Sequence, residues 1–264
     1  MKLTVQSVMD ALMKPARSLE RTVDGLVFGR AEEEVRGIAV VFMPTQRALE
    51  QAAGLGANLV IAHEGAFYSH ADQTGSSSAG PVYETKKRLI LEAGMSLFRF
   101  HDYIHKYEPD LVTEGLVHEL GWERFVVKRR PEAAIAELPP ASLKAIAEVA
   151  KERLGIPYIR TLGDPEQRCA KAAVLVGYRG GGGVTIPLFE EEDVDLVVYG
   201  EGPEWETPEY VRDALAQGRK KGVIVLGHAE SEAPGMRLLA RRLQEAFPQI
   251  PVHSLQNEPL FQMM

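Results

Sequence analysis

The chain is poor in the residues that would assign it quickly to several large classes. It has a single cysteine, Cys169, in 264 residues. One thiol can form neither an internal disulfide nor a thiolate metal cage, so disulfide scaffolds and zinc fingers are excluded. No apolar run approaches the roughly 20 residues that a membrane-spanning helix needs. The opening Met1-Lys2-Leu3-Thr4-Val5-Gln6-Ser7 lacks the apolar core of a signal peptide. Basic residues are in deficit: 30 Lys and Arg against 37 Asp and Glu leave a net charge of −7. That argues against a protein that coats nucleic acid, whose footprint is a basic excess. Nor does a period of 20–50 residues repeat, which excludes a solenoid. With 45% hydrophobic and 25% charged residues, the expectation is a soluble cytoplasmic globular protein.

Strand-like and helix-like patterns alternate along the chain. Gly37–Met43, Asn58–Ala62 and Ser96–Phe100 are short apolar runs, the mark of buried strands. Val5–Met13, Thr45–Ala53, Val82–Ala93 and Leu111–Leu120 carry helical spacing between them. Lys128-Arg129-Arg130-Pro131 and Leu138-Pro139-Pro140 interrupt the alternation and predict a linker or an edge excursion. It then restarts, with strands at 171–176, 194–199 and 223–226 and helices at 142–154, 208–217 and 234–246. Strand and helix taking turns predicts an α/β fold with mostly parallel sheets. The restart divides it into a first α/β lobe, 1–125, and a second, 126–264.

In α/β sheets, sites gather at the carboxyl ends of strands. Four such ends deliver imidazoles or carboxylates: His63-Glu64, His101-Asp102 with His105 four residues on, Gly200-Glu201, and Gly227-His228 with Glu230 and Glu232 behind. His70, His118 and His253 lie elsewhere. Imidazole and carboxylate without thiolate suit zinc, manganese, iron or cobalt. The run Gly180–Gly183 invites a phosphate-cradle reading, but no Lys-Ser/Thr follows it, and a tight, close-packed turn is the better expectation. Trp122 and Trp205 read as packing residues.

Gly227-His228-Ala229-Glu230-Ser231-Glu232, then Pro234-Gly235 and an amphipathic helix closing on Gln256-Asn257-Glu258-Pro259, resembles the C-terminal signature of the Nif-three-like family, whose members include the GTP cyclohydrolase I type-two homologues. Asp24–Gly29, Asn58–Gly65, His101–His105, Gly180–Gly183 and Tyr199-Gly200-Glu201 are similar to further segments of that family. The resemblance implies two facing α/β lobes with a dinuclear metal site between them. It implies metal ligands at His63, Glu64, His105, His228 and Glu232. Two positions depart from the family pattern: Glu64 stands where the family has a second histidine, and His105 where it has an aspartate. His101 and Asp102 are spare donors next door. The cofactors implied are divalent ions, one or two per subunit, of the zinc, iron or manganese type. A homo-oligomer is implied too, typically a hexamer arranged as a toroid, with no membrane partner. The function that follows is that of a metal-dependent hydrolase-like enzyme on a small, nucleotide-like substrate, with Glu201 as general base. The other class these residues suit is a non-catalytic, metal-binding adaptor or metal-handling protein.

Overall fold

A computed structural model describes residues 2–70, 80–262 and 264. The chain divides into two compact units, Met1–Leu111 with Met236–Glu258, and Val112–Gly235 with Pro259–Met264. A chain-order boundary after residue 125 thus misses that residues 236–258 return to the first unit.

The first unit begins with helix α1 (Val5–Met13), whose N-cap Thr4 and Ser7 cap each other reciprocally. Strand β1 (Gly25–Phe28) and strand β2 (Ile38–Val41) follow, then α2 (Gln46–Gly54), β3 (Leu59–Ala62), α3 (Pro81–Glu92), β4 (Ser96–Arg99) and the single turn α4 (Asp102–His105). Every residue of β2, β3 and β4 is buried. This is why those strands read as unbroken apolar runs and not as alternating ones. Thr45 caps α2 by accepting from the Ala48 amide, as the sequence predicts.

The second unit holds most of α5 (Leu111–Leu120), β5 (Val126–Arg129), β6 (Ala134–Ser142), α6 (Leu143–Leu154), β7 (Arg160–Leu162), β8 (Arg168–Val174), α7 (Gly182–Glu190), β9 (Leu196–Tyr199), α8 (Thr207–Ala216), β10 (Gly222–Val225) and the start of α9 (His228–Ala246). The stretch expected to be a linker or an edge excursion is the β5–β6 hairpin, with β5 at the edge of the second sheet. Pro139 and Pro140 lie inside β6, where the pairing with β8 slips between Glu137 and Ala141. A bulge is where a strand tolerates residues that cannot donate to the ladder. After α9 the chain forms β11 (Val252–Ser254), which pairs in parallel with β2 in the first sheet.

The resulting orders are β1-β4-β3-β2-β11 and β5-β6-β8-β9-β10-β7. Parallel pairings dominate the first sheet and form the centre of the second, with antiparallel strands outside. The mixed α/β class, with parallel pairings in the majority over the two sheets together, is therefore the one read from the sequence. The cores are apolar, with Val41, Leu49, Val60 and Leu97 in one and Leu175, Phe189, Val197 and Val223 in the other. The tail is stitched down by Asn257, which accepts from the Met43 amide at 2.9 Å and donates to the Met43 carbonyl at 2.8 Å. Among the described residues no helix is long and apolar enough to cross a membrane.

Within the second unit α5 and α9 approach backbone to backbone. A Cβ on Gly115 would collide with the Gly235 backbone, and a Cβ on Gly235 with Val112. Gly115→Ala and Gly235→Ala should each destabilise by about 2 kcal/mol or more through overpacking. Gly183→Ala is the control: nothing lies within 4 Å of its Cβ, and removing a helical glycine should be neutral or add up to about 1 kcal/mol. Chemical denaturation of the three variants measures this.

Candidate metal centre

In the first unit two adjacent parallel strands end side by side. The His63 amide donates to the Val41 and Phe42 carbonyls just beyond β3, and the Phe100 amide donates to Ala62 just beyond β4. The chain then turns sharply into α4, and Asp24 makes that turn. Its Oδ1 accepts from the amides of His101 (2.8 Å) and Asp102 (2.7 Å), and its Oδ2 from that of Tyr103 (2.9 Å). Three amides exposed at the start of a helical turn are answered by one carboxylate. His101 and His105 then lie one turn apart.

His63, His101 and His105 converge. The His63 ring is 4.6 Å from that of His101 and 5.1 Å from that of His105, and the last two are 5.3 Å apart, centroid to centroid. One ligand atom from each lies within 4.8 Å of the other two. Each ring is oriented through Nδ1. That of His63 donates to the Phe100 carbonyl (3.2 Å), that of His101 to Asp102 (2.9 Å) and that of His105 to Asp110 (3.1 Å). A neutral ring that donates from Nδ1 carries its lone pair on Nε2, the arrangement seen when a histidine binds metal through Nε2 and an outer carboxylate or carbonyl holds it. Burial pushes the His101 imidazole down to about 4, with the charge of His63 adding to the shift. Asp102, which the sequence offered as a spare donor, is the orienting partner of His101 and also accepts from the Val23 amide at 2.9 Å. Three imidazoles and carboxylates fit a divalent borderline metal.

Glu64 sits beside this cluster, with one carboxylate oxygen within 4.8 Å of a His63 ring nitrogen. Its Oε2 accepts from Arg99 at 3.3 Å, and its Oε1 faces His101 Nε2 at 3.8 Å. Arg99 is 1% exposed and also donates to His70 Nδ1 (3.3 Å) and to the His70 carbonyl. Neither Arg99 nor His70 was picked out in the sequence. Arg99 looks like an ordinary end of an apolar strand, and His70 follows no strand at all.

The second unit assembles Glu201, His228 and Glu232. His228 Nδ1 donates to Glu201 Oε1 at 2.9 Å, and Nε2 lies 3.1 Å from Glu232 Oε2. Helix α9 starts at His228 and not at 234 as expected, so His228 and Glu232 share a helix face at i, i+4. With the Nδ1 proton given to Glu201, the facing Nε2 and carboxylate need a proton or a cation between them. Close approach is made possible by glycine: a Cβ on Gly177 (φ +55°) would collide with Glu232, and one on Gly200 with the Ser231 hydroxyl. Ser231 itself accepts from the Gly177 amide at 2.9 Å. Gly180–Gly183 is not the tight turn expected: Gly182 and Gly183 already belong to α7, none of the four has a positive φ, and the close packing is concentrated at Gly180. A Cβ on Gly180 would meet the Tyr199 ring, and the Gly182 amide at the α7 N-terminus donates to Glu206 Oε2 at 2.7 Å, so an internal carboxylate takes the place of a phosphate. Trp122 is buried as expected, but Trp205 is 75% exposed: it lies in the loop between β9 and α8, not in the core.

The Duf34/NIF3 (NGG1p interacting factor 3) family model matches residues 3–259. The chain belongs to this family. A GTP cyclohydrolase 1 type 2 homolog of Chlamydia trachomatis is 21% identical over 245 residues, spanning 91% of this chain and 92% of its own. A Staphylococcus aureus hypothetical protein shares the fold with a TM-score of 0.80 at 18% identity, over the whole of both chains. A Bacillus cereus protein related to NIF3 does so with a TM-score of 0.76 at 13% identity, over 99% of each. The family resemblance carried by the strand-end motifs therefore extends through the chain.

Asp24→Ala should cost about 2 kcal/mol, the scale of losing charge-assisted bonds to part-buried amides, and should lower metal content along with the melting temperature. The pH dependence follows from His101. Its folded pKa is depressed, so below the ordinary value of 6.5 the unfolded chain takes up a proton that the folded chain refuses down to about 4. In metal-stripped protein, stability should be full above pH 6.5 and fall as pH drops towards 4. His101→Gln should flatten that fall, measured by thermal melts across the window.

Proposed function

We propose that this chain is a metal-dependent hydrolase-like enzyme of the cytoplasm that binds one or two divalent ions per subunit and acts on a nucleotide-like substrate. The observation that carries this is the convergence of His63, His101 and His105, each with its Nδ1 proton committed to a fixed acceptor. The substrate class rests on the names of relatives called GTP cyclohydrolase 1 type 2 homolog. His63, Glu64 and His105 on the first unit, and His228 and Glu232 on the second, are the assigned donors. Zinc, iron and manganese suit them. When bound, such ions supply Lewis acidity and lower the pKa of a water; in paired sites they lie about 3.5–4 Å apart.

The chain's own residues do the rest. Phe100, Asp102 and Asp110 keep the three imidazoles in one tautomer. Glu201 orients His228, and its half-exposed carboxylate accepts the proton released as a water attacks. The working form is a homo-oligomer, a hexamer by family resemblance.

Elemental analysis of tag-free protein should find at least one divalent ion per subunit. His63→Ala should lose most of it without loss of fold. Glu201→Gln should keep its metal and lose turnover of nucleoside triphosphates by about 10²–10⁴-fold, the usual contribution of a general base. Metal without turnover in the native protein would favour the adaptor reading, and no metal at all would end both. Light scattering measures the assembly.

A further inference from the structure

Two aromatic side chains of the second unit stand in solvent: Trp205 is 75% and Tyr178 62% exposed. Tyr199 and Phe189, by contrast, are buried in that unit's core. The exposed pair belongs to one edge of the sheet. Tyr178 follows Gly177 beyond β8, and Trp205 lies four residues after Glu201 beyond β9. The two loops are locked together. The Glu201 amide donates to the Gly177 carbonyl at 2.9 Å, and the Gly180 amide to the Glu201 carbonyl at 3.0 Å. A Cβ on Gly202 would collide with the Gly180 backbone. On either side of the indole, Glu206 accepts from the Gly182 amide and Glu204 pairs with Arg160 at 2.5 Å. Thr207 Oγ1 donates to the Gly180 carbonyl at 2.7 Å. Trp205 is therefore mounted on a fixed turn. The Gly227 amide donates to the Gly200 carbonyl at 2.9 Å, which brings His228 to the same edge. An indole face held rigidly in water is prepared for a flat partner, because little freedom is lost when one is laid on it. The charges of Arg160, Glu204 and Glu206 surround it, and a protein surface seated there would have to bury them. A ring of nucleobase size covers the aromatic faces and leaves those charges wet.

We propose that Trp205 and Tyr178 are the base-binding residues of the second unit: their exposed faces stack on the planar heteroaromatic ring of the substrate and hold it at the sheet edge that carries Glu201 and His228. Every nucleobase has a π-face, so stacking binds the class and does not by itself choose among its members. This rests on the reading that the chain acts on a nucleotide-like substrate, and it deepens that reading by naming what receives the base. Binding of the ring requires neither a metal ion nor the Glu201 carboxylate.

The test uses the full chain, with guanosine, adenosine and cytidine as probes and ribose 5-phosphate as the control that lacks a ring. Acrylamide reaches an exposed indole far more readily than a buried one, so the quenchable emission reports Trp205 and not Trp122, which is buried. At least one nucleoside should shield Trp205 from acrylamide, and ribose 5-phosphate should not. Equilibrium dialysis of that nucleoside should show binding weakened about fivefold or more in Trp205→Ala and in Tyr178→Ala, the low end of a base-stacking contact. Trp205→Phe and Tyr178→Phe, which keep a ring, should retain most of it. Both positions are at the surface, so the melting temperature should hold in all four variants. Shielding by none of the nucleosides, or undiminished binding in both alanine variants, would overturn the proposal. So would a smaller assembly for Trp205→Ala in light scattering, which would make the indole a contact between copies of the chain. Nucleoside binding without turnover of nucleoside triphosphates would keep this proposal and overturn the hydrolase reading. Turnover with a KM unchanged in both alanine variants would do the reverse.

Discussion

The carboxylate of Asp24 holds three consecutive backbone amides at the point where the chain leaves β4, and the first-unit site hangs from that turn. Strands β3 and β4 run parallel and end together, so their next residues are neighbours whatever those residues are. Parallel pairing alone would not bring His105 back over His63 and His101. A tight helical turn does so, and a turn of four residues is too short to be stable by itself. Asp24 supplies the stabilisation from β1's side of the sheet, with bonds of 2.7–2.9 Å. Asp102, Asp110 and the Phe100 carbonyl then set the direction of each ring. The layers are hierarchical: the sheet sets position, Asp24 sets the turn, and the Nδ1 acceptors set the tautomer.

The second unit solves a similar problem with absent side chains. Gly177 and Gly200 lie against Glu232 and Ser231 so closely that any Cβ would displace them. The space they leave lets His228 reach both Glu201 and Glu232 from the first turns of α9. The glycine run after β8 belongs to the same packing. Its backbone seats against Tyr199, and the α7 N-terminus takes Glu206 as its anion, as the helix dipole favours.

Most of the elements were legible in advance because their signals are local. The buried strands β2, β3, β4 and β9 show as apolar runs, and α1, α2, α5 and α6 lie within a residue or so of their expected bounds. What failed were places where tertiary pairing overrides local signals. Pro139 and Pro140 suggested a break, but a bulge against β8 accommodates them. Pro234 suggested a helix start, but α9 runs through it from His228. The strand-end histidines and carboxylates were legible because topology directs such residues to one edge of a sheet. Asp110 and Arg99 were not, since a lone Asp or Arg in sequence carries no sign of what it will touch, and Asp24 was marked only as the start of a family-like segment, with no sign of its role at the turn.

From the sequence by itself come the α/β class, the alternation of strand and helix, the strand-end donors His63, Glu64, His105, His228 and Glu232, and the family resemblance. These depend on periodicity and on residues adjacent in the chain, which are properties of the string. Only the tertiary structure decided that β11 joins the first sheet, that His101 stands with His63 and His105, that Glu64 divides its oxygens between His101 and Arg99, and that Asp24 makes the turn. Each of these depends on contacts between residues tens to hundreds of positions apart. Such contacts form because burying strands and charges requires partners, and which partner arrives is settled by how the elements pack.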